Sequence, residues 1–400
     1  MRKKIVWVSL LFMDKSLYKT TQIEILTHLA RRGHEAILIA LYSEEKYKSE
    51  SSDLHVITVP LRNIPIITNV IFNLILLFFL PFYVLYLKPD FIIVEPQDAT
   101  AFSMISLLLF PKSKRPKIIL DARTSHFQEK LRTSSVRAYI NDLTFFGSFH
   151  LAKKFFDGIT TITPMMKEDF CAKLKIIPKS VGVWTSGVNT KLFNPQKLAK
   201  KGKKLRIGLD LADKFIVFYH GDFGSDNSPS RGIIETIKSI EILKDKINNL
   251  VLFLLGRSQL TPMIKKMIKK SGMQNKVIIH DPVDYENVPQ YIAMCDVGII
   301  PLPDLPEWRY QCPLKLLEYL AMGKVVIATD IPMNRYVIGK CKCGIYISRV
   351  NPEEIAKAIT YAHNHIRKLR QWGSYGRAIV SKSYTWEKVA KDLEDYLLQR

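Results

Sequence analysis

Short apolar runs alternate with amphipathic stretches along this chain, and the whole plan occurs twice. In the first half the runs fall at 5–10, 36–40, 56–59, 91–94, 118–121 and 158–162. They are rich in Ile, Val and Leu, as strands buried on both faces are. Helical patterns lie between them. In 22–32, for example, Ile23, Ile25, Leu26, Leu29 and Ala30 make one stripe. The second half repeats the plan, with runs at 215–219, 251–255, 276–280, 297–300, 325–328 and 344–347 and helical patterns such as 232–243 and 288–294. Alternating β and α elements imply a parallel sheet with helices on both faces. The expected class is therefore α/β, with two Rossmann-like, doubly wound domains over residues 1–190 and 205–375. A turn at Ser186-Gly187 and a Pro- and Lys-rich stretch running to 204 would link them. Residues 384–398 read as an amphipathic helix with Trp386, Val389, Leu393, Tyr396 and Leu397 on one side. With it, residues 376–400 are expected to cross back to the first domain.

Two such domains facing one another would form a cleft at the carboxyl ends of both sheets, where doubly wound sheets bind ligands. That arrangement suits a two-substrate enzyme with one ligand per domain. No G-x-G-x-x-G follows either first strand, which argues against a dinucleotide cofactor.

The chain is 400 residues long, 47% hydrophobic and 24% charged, with a formal net charge of +22. It is globular rather than disordered. Its five cysteines are scattered and fit a reducing, cytoplasmic compartment. Cys341-Lys-Cys343 is too close for the usual zinc pairing and has no nearby His, so no metal is expected. Basic clusters at 112–117, 197–206 and 265–270 could meet nucleic acid or anionic lipid headgroups, or be a solvated surface suited to anionic substrates. They lack aromatic interleaving and zinc-finger spacing, so no nucleic-acid partner is expected.

The opening MRKKIVWVSLLFMDKS has the charge and apolar run of a signal peptide. No small-residue cleavage site follows, and it reads as a first buried strand. Residues 63–87 carry no charge between Arg62 and Lys88. As one helix they would reach about 37 Å at ~1.5 Å per residue, enough for a bilayer core of about 30 Å. Pro65, Asn69, Asn73 and Pro81 interrupt the run, so a helix pair, buried or dipping into one leaflet, is expected over a span. A membrane-surface element and ordinary core both remain open. The former would put the protein at the inner face of the cell membrane.

Residues 312–330 read CPLKLLEYLAMGKVVIATD. A helical pattern carries Glu318 among Leu316, Leu317 and Leu320, stops at Met322-Gly323 and leads into the run at 325–328. A carboxylate held at the carboxyl end of an α/β sheet suits two ribose hydroxyls; the alternative is a helix-surface Glu. Arg231 and Gly232 begin another helix, where a cation and free N–H groups suit a diphosphate. Here the alternative is a surface Arg.

These segments resemble family 4 (group 1) retaining glycosyltransferases of the GT-B fold. Arg32-Gly33-His34-Glu35-Ala36 is similar to that family's "RGHEV" turn, and Ser186-Gly187-Val188-Asn189 with Phe193-Asn194-Pro195 to its interdomain segment. Tyr219-His220-Gly221 with Arg231-Gly232 resembles its phosphate loop and "KG" helix start. Cys295-Asp296-Val297 through Pro301 resembles its "ADV…P" strand, and 312–330 its nucleotide-sugar site. The resemblance implies catalytic roles for Arg123, Arg231 and Glu318. It implies donor contacts from Gly221, Gly232, Arg257, Tyr310, Cys312, Leu314, Lys315 and Glu318, and acceptor-side roles for Lys15, Ser16 and His126. Pro313 has no N–H to offer. For Arg123 a salt bridge with Asp121 or a neighbour, and for Lys315 a solvated position, are the alternatives.

The chain departs from the family pattern at several points. Two glutamates eight positions apart are usual; here the earlier is Tyr310, with Glu307 three residues before it. Asp222 stands where a basic residue is common. Asp14-Lys15-Ser16 replace a Gly-Gly turn, and Arg123 holds the usual His position, with His126 three residues on. Arg123 cannot serve as a base near neutral pH.

The implied activity is transfer of a sugar from a nucleotide-diphosphate sugar to a glycan or lipid-linked acceptor, with retention and without metal or other cofactor. The alternatives are a catalytically degenerate scaffold or membrane adaptor, an epimerase, and an inverting transferase.

Overall fold

A computed structural model of the chain describes residues 2–13, 20–42, 54–64, 66–96, 99–124, 136–224, 231–339 and 343–400. The chain divides into two units, Met1–Gly187 with Trp386–Arg400, and Val188–Thr385.

The first unit runs β1 (Lys4–Phe12), α1 (Thr20–Arg31), β2 (Glu35–Tyr42), β3 (His55–Pro60), α2 (Ile67–Leu87), β4 (Phe91–Val94), α3 (Thr100–Ser103), β5 (Lys117–Ala122), α4 (Val136–Phe155), β6 (Gly158–Thr161), α5 (Pro164–Leu174) and β7 (Val181–Val183). Its sheet has the order β3-β2-β1-β4-β5-β6-β7, and the pairs are parallel. The order reverses between β1 and β4, so the carboxyl ends of those strands border the crevice of a doubly wound sheet.

Residues 67–87 form one helix, not the expected pair, and Pro81 lies inside it. A lost hydrogen bond and a ring clash at an interior proline cost about 3 kcal/mol. Opposing this, Thr68, Phe72, Leu76, Leu80 and Val84 make a buried stripe that runs straight past the proline. The helix is long and apolar enough to cross a membrane. It carries the chain from β3 to β4 of one sheet and buries that stripe, the place of a crossover helix.

The second unit begins with α6 (Pro195–Gly208) and continues β8 (Phe215–His220), α7 (Ile233–Leu243), β9 (Leu250–Leu255), α8 (Thr261–Lys270), β10 (Val277–His280), α9 (Val288–Met294), β11 (Val297–Ile300), α10 (Pro306–Arg309), α11 (Leu314–Ala321), β12 (Val325–Thr329), α12 (Pro332–Ile338), β13 (Gly344–Ile347), α13 (Pro352–Asn364) and α14 (Ile366–Ser383). The sheet order is β10-β9-β8-β11-β12-β13, again with parallel pairs. Its switch point lies between β8 and β11.

The Lys-rich stretch before residue 205 is helical, not a loose linker. Asn194 Oδ1 accepts from Lys197 N at 3.1 Å and Pro195 opens the helix. Gly202 lets α6 lie close on α9, since a Cβ there would sit 2.6 Å from that of Ala293.

The final helix, α15 (Trp386–Leu398), belongs to the first unit. Trp386, Val389, Leu393, Tyr396 and Leu397 are all buried. Beside α1, Glu394 binds Arg32 Nε at 2.5 Å and His34 Nε2 at 2.8 Å. His34 Nδ1 accepts from Lys3 N, so the ring proton sits on Nε2 and is donated to Glu394. The Tyr396 ring covers β7, where a Cβ on Gly182 would come within 2.5 Å of it.

Candidate functional site

At the switch point of the second unit, β8 ends in His220 and turns at Gly221, whose φ is +105°. Gly256, following β9, has φ +153°, and a Cβ there would lie 2.0 Å from the Gly221 carbonyl oxygen. Only glycine fits that crossing. Gly221 donates its N–H to the Leu255 carbonyl at 2.9 Å. Gly232, at φ +68°, precedes α7, and a Cβ there would lie 2.0 Å from the Pro301 carbonyl oxygen at the end of β11. Two bare backbone turns thus flank one point at the carboxyl end of the sheet.

Three charged side chains meet beside those turns. Lys315, in the first turn of α11, holds its Nζ 4.0 Å from the centroid of the Tyr219 ring, and a Cβ on Gly221 would lie 3.3 Å from that Nζ. Arg231 stacks its guanidinium 4.9 Å over Trp308. Its Nη2 lies 3.4 Å from Asp222 Oδ2, while its buried Nε has no hydrogen-bond partner among the described residues. Burial, and then the nearby Arg231, bring the Lys315 ammonium down to about 7 despite the pull of Glu318 and Asp222. Part of the Lys315 surface remains open, so an arriving anion can reach it.

Glu318 is 3% exposed and has its Oε2 3.1 Å from His220 Nε2. Although they are within ion-pair distance, their geometry completes no hydrogen bond, and neither atom has another partner among the described residues. The next residue fixes the floor beneath them. Tyr319 OH accepts from His220 N at 3.2 Å and donates to the Phe218 carbonyl at 3.3 Å. Its ring fits because residue 298 is glycine, where a Cβ would lie 2.5 Å from it.

The structure therefore gathers Gly221, Arg231, Gly232, Lys315 and Glu318. Leu314 is the first residue of α11 and Pro313 its cap; Leu316 N already donates to the Pro313 carbonyl at 3.0 Å, so the helix presents the N–H groups of Leu314 and Lys315 to the same end of the sheet. Cys312, just before that cap, is buried. Tyr310 follows α10 directly. Arg257 is at the same end of the sheet, just past Gly256, but its side chain is exposed and paired with Asp281 at 3.0 Å. His220, Trp308 and Tyr319 carry geometry that the sequence reading gave no role. The aromatic at 308, beside the Arg231 position in the fold but far from it in the chain, offers no local motif.

In the first unit, Arg123 follows β5 and stacks 3.8 Å over the Trp184 ring. Its Nη1 is 4.0 Å from Asp121 Oδ2. Asp121 is fully buried and accepts from Thr160 Oγ1 at 2.6 Å and Trp184 Nε1 at 3.0 Å. Burial pushes this carboxyl up, against Arg123 and those hydrogen bonds. Glu95, after β4, is also buried and accepts from Trp7 Nε1 at 3.0 Å, Gln22 Nε2 at 2.9 Å and Ser9 Oγ at 3.3 Å. Lys15, Ser16, His126 and Cys341 lie outside the described residues. No group of three or more His, Cys, Asp or Glu able to hold a metal ion occurs among the described residues.

Two doubly wound parallel sheets, with a basic, glycine-bordered cluster at the switch point of the second, define a GT-B glycosyltransferase fold. Residues 209–379 match the family model "Glycosyl transferases group 1", and residues 20–192 match "Glycosyltransferase Family 4". The chain belongs to this family.

Among its relatives, a Bacillus subtilis protein named for teichuronic acid biosynthesis, the glycosyltransferase TuaH, is 43% identical over 56 residues, 14% of each chain. The MMP alpha-(1->4)-mannosyltransferase of Mycolicibacterium hassiacum is 20% identical over 233 residues, 58% of this chain and 51% of that one. The chain thus spans from a seventh to about half of the length of these relatives. The Anabaena protein HepE, solved in complex with UDP, superposes with a TM-score of 0.72 over 99% of this chain and 100% of its own at 16% identity.

Proposed function

We propose that the chain transfers a sugar from a nucleoside-diphosphate sugar to a glycan or lipid-linked acceptor, with retention of configuration. The observation that carries this reading is the meeting of Arg231, Lys315, the Gly221 and Gly232 turns and the buried Glu318 at one end of the second sheet. The cations and first-turn N–H groups suit a diphosphate, and Glu318 suits the ribose hydroxyls. HepE, of like fold, is a UDP binder, which supports a nucleotide donor.

In this reading the bond from the anomeric carbon to the phosphate oxygen breaks as the bond to the acceptor oxygen forms on the same face. The acceptor's proton passes to the leaving phosphate. No protein nucleophile is then required, and the protein acts by positioning and by stabilising charge on the diphosphate. Arg231 and Lys315 supply that charge without a metal.

A binding protein without turnover is the second reading, favoured by Tyr310 in place of a carboxylate. The test is a screen of nucleotides and nucleotide sugars by thermal shift, followed by transfer assays with NMR of the product anomer. Nucleotide protection with transfer and retention is expected. Protection without transfer would support the second reading, inversion would overturn the mechanism, and no protection by any nucleotide would overturn the site.

A further inference from the structure

We propose that the first unit docks on an anionic membrane surface. The outer face of α2 would lie in the interfacial layer, and a lipid headgroup phosphate would enter a basic cavity at the end of that helix. This does not depend on the sugar-transfer reading.

The apolar part is a continuous exposed face. On α2, Phe78, Phe82 and Tyr86 are 65%, 70% and 85% exposed, while the opposite stripe from Thr68 to Val84 is buried. A 3-10 segment, Met104–Leu109, packs beside the helix and leaves Leu109 87% exposed. Ser103, just before it, bonds the Asn73 carbonyl at 3.0 Å. An exposed apolar face of this kind on a folded unit marks an interaction surface.

The basic part begins where each apolar element ends. Lys88 caps α2, and Lys112 and Lys114 follow the 3-10 segment. Between them opens a cavity of about 560 Å³. Leu85, 58% exposed, belongs to both the apolar face and the cavity wall. Lys3, Lys88, Lys112, Lys114, Arg115 and Lys117 line the cavity against only Asp90 and Asp157. Both carboxylates are engaged, Asp90 by Lys3 Nζ at 2.9 Å and Lys4 N at 2.8 Å, Asp157 by Ile118 N at 2.9 Å. The cavity therefore keeps an excess of positive charge. The carbonyl end of α2 disfavours an anion, so the lysines must provide the attraction.

Apolar rings bordered by lysines match the two layers of an anionic bilayer surface, acyl boundary and headgroup. A second copy fits less well. Two-fold pairing through this face would set the same lysines against one another, in a chain of net charge +22.

Flotation of the full chain tests this, using phosphatidylglycerol–phosphatidylcholine vesicles and pure phosphatidylcholine vesicles at low and high salt. Recovery with the anionic vesicles at low salt is expected, and its loss at high salt. Phe82→Glu with Tyr86→Glu, and separately Lys112→Glu with Lys114→Glu, should each lower recovery about tenfold at unchanged melting temperature. No recovery at low salt, or recovery indifferent to both pairs, would overturn docking. Loss with the first pair alone would overturn the headgroup site. A concentration-dependent dimer broken by Phe82→Glu with Tyr86→Glu, without vesicle binding, would assign the face to self-association instead.

Discussion

His220 Nε2 lies 3.1 Å from Glu318 Oε2 where β8 ends, and the pair completes no hydrogen bond. A buried carboxylate in that state keeps lone pairs for a ligand, and burying it unsatisfied costs about 1–3 kcal/mol or more. Removing it should therefore hurt ligand binding more than folding. Glu318→Ala is expected to weaken nucleoside-diphosphate binding and cut transfer about tenfold or more, with Glu318→Gln in between. Calorimetry and initial rates check this; unchanged values in both variants would remove Glu318 from the site.

Lys315 gives a pH signature. Its folded value of about 7 lies below the ordinary lysine range, so above pH 7 the free site is increasingly neutral. A bound diphosphate favours the charged form, and binding then takes up a proton. Affinity should fall by up to about tenfold per pH unit as pH rises above about 7. Lys315→Arg, which stays charged, should flatten the profile. For stability the sign is also set: the unfolded chain binds the extra proton above pH 7, so this group's contribution to stability improves from pH 7 towards 10 and is least favourable below 7.

The glycine turns can be ranked. Gly232→Ala places a Cβ 2.0 Å from the Pro301 carbonyl oxygen at a positive φ, whereas at Gly323, also at positive φ, the nearest atom is 3.8 Å away. Gly232→Ala should destabilise the second unit by about 2 kcal/mol or more, and Gly323→Ala by about 1 kcal/mol. Urea melts of the two variants would reverse the assignment if the order were inverted.

Tyr396 ties the last helix to the first sheet. Its hydroxyl lies 3.0 Å from the Ile159 carbonyl and 2.8 Å from that of Ser180. One proton serves one acceptor at a time, so Tyr396→Phe should cost about 1–2 kcal/mol. Ending the chain at Thr385 uncovers the core beneath Trp386, Val389 and Leu393 and should leave the first unit unable to melt cooperatively, as read by near-ultraviolet circular dichroism.

The regular elements were legible because buried parallel strands are continuous apolar runs, and Glu318 stood out because leucines surround it. Other features depended on partners remote in sequence. Pro81 argued locally for a break in α2, but the buried stripe beneath it prevailed. β7 is short and has a glycine at its centre, explained only by the Tyr396 ring. The composition of α6 reads as linker until Asn194, Pro195 and the Gly202 contact are seen together. His220 could not be matched to Glu318, nor Arg257 to Asp281, without the sheet that brings them together. The depressed ammonium of Lys315 is likewise a property of its burial beside Arg231, not of its neighbours in the chain.

The place of α15 in the first unit also sets an order of events during synthesis. Strands β1 to β7 leave the ribosome early, yet Gly182 and Gly187 lack the Tyr396 and Trp386 rings that cover them until the last helix arrives. The first half of the protein must therefore wait, incompletely covered, while the whole second unit is translated and folds. Its aggregation hazard is greatest in that interval, and release of the last helix is the step that closes it.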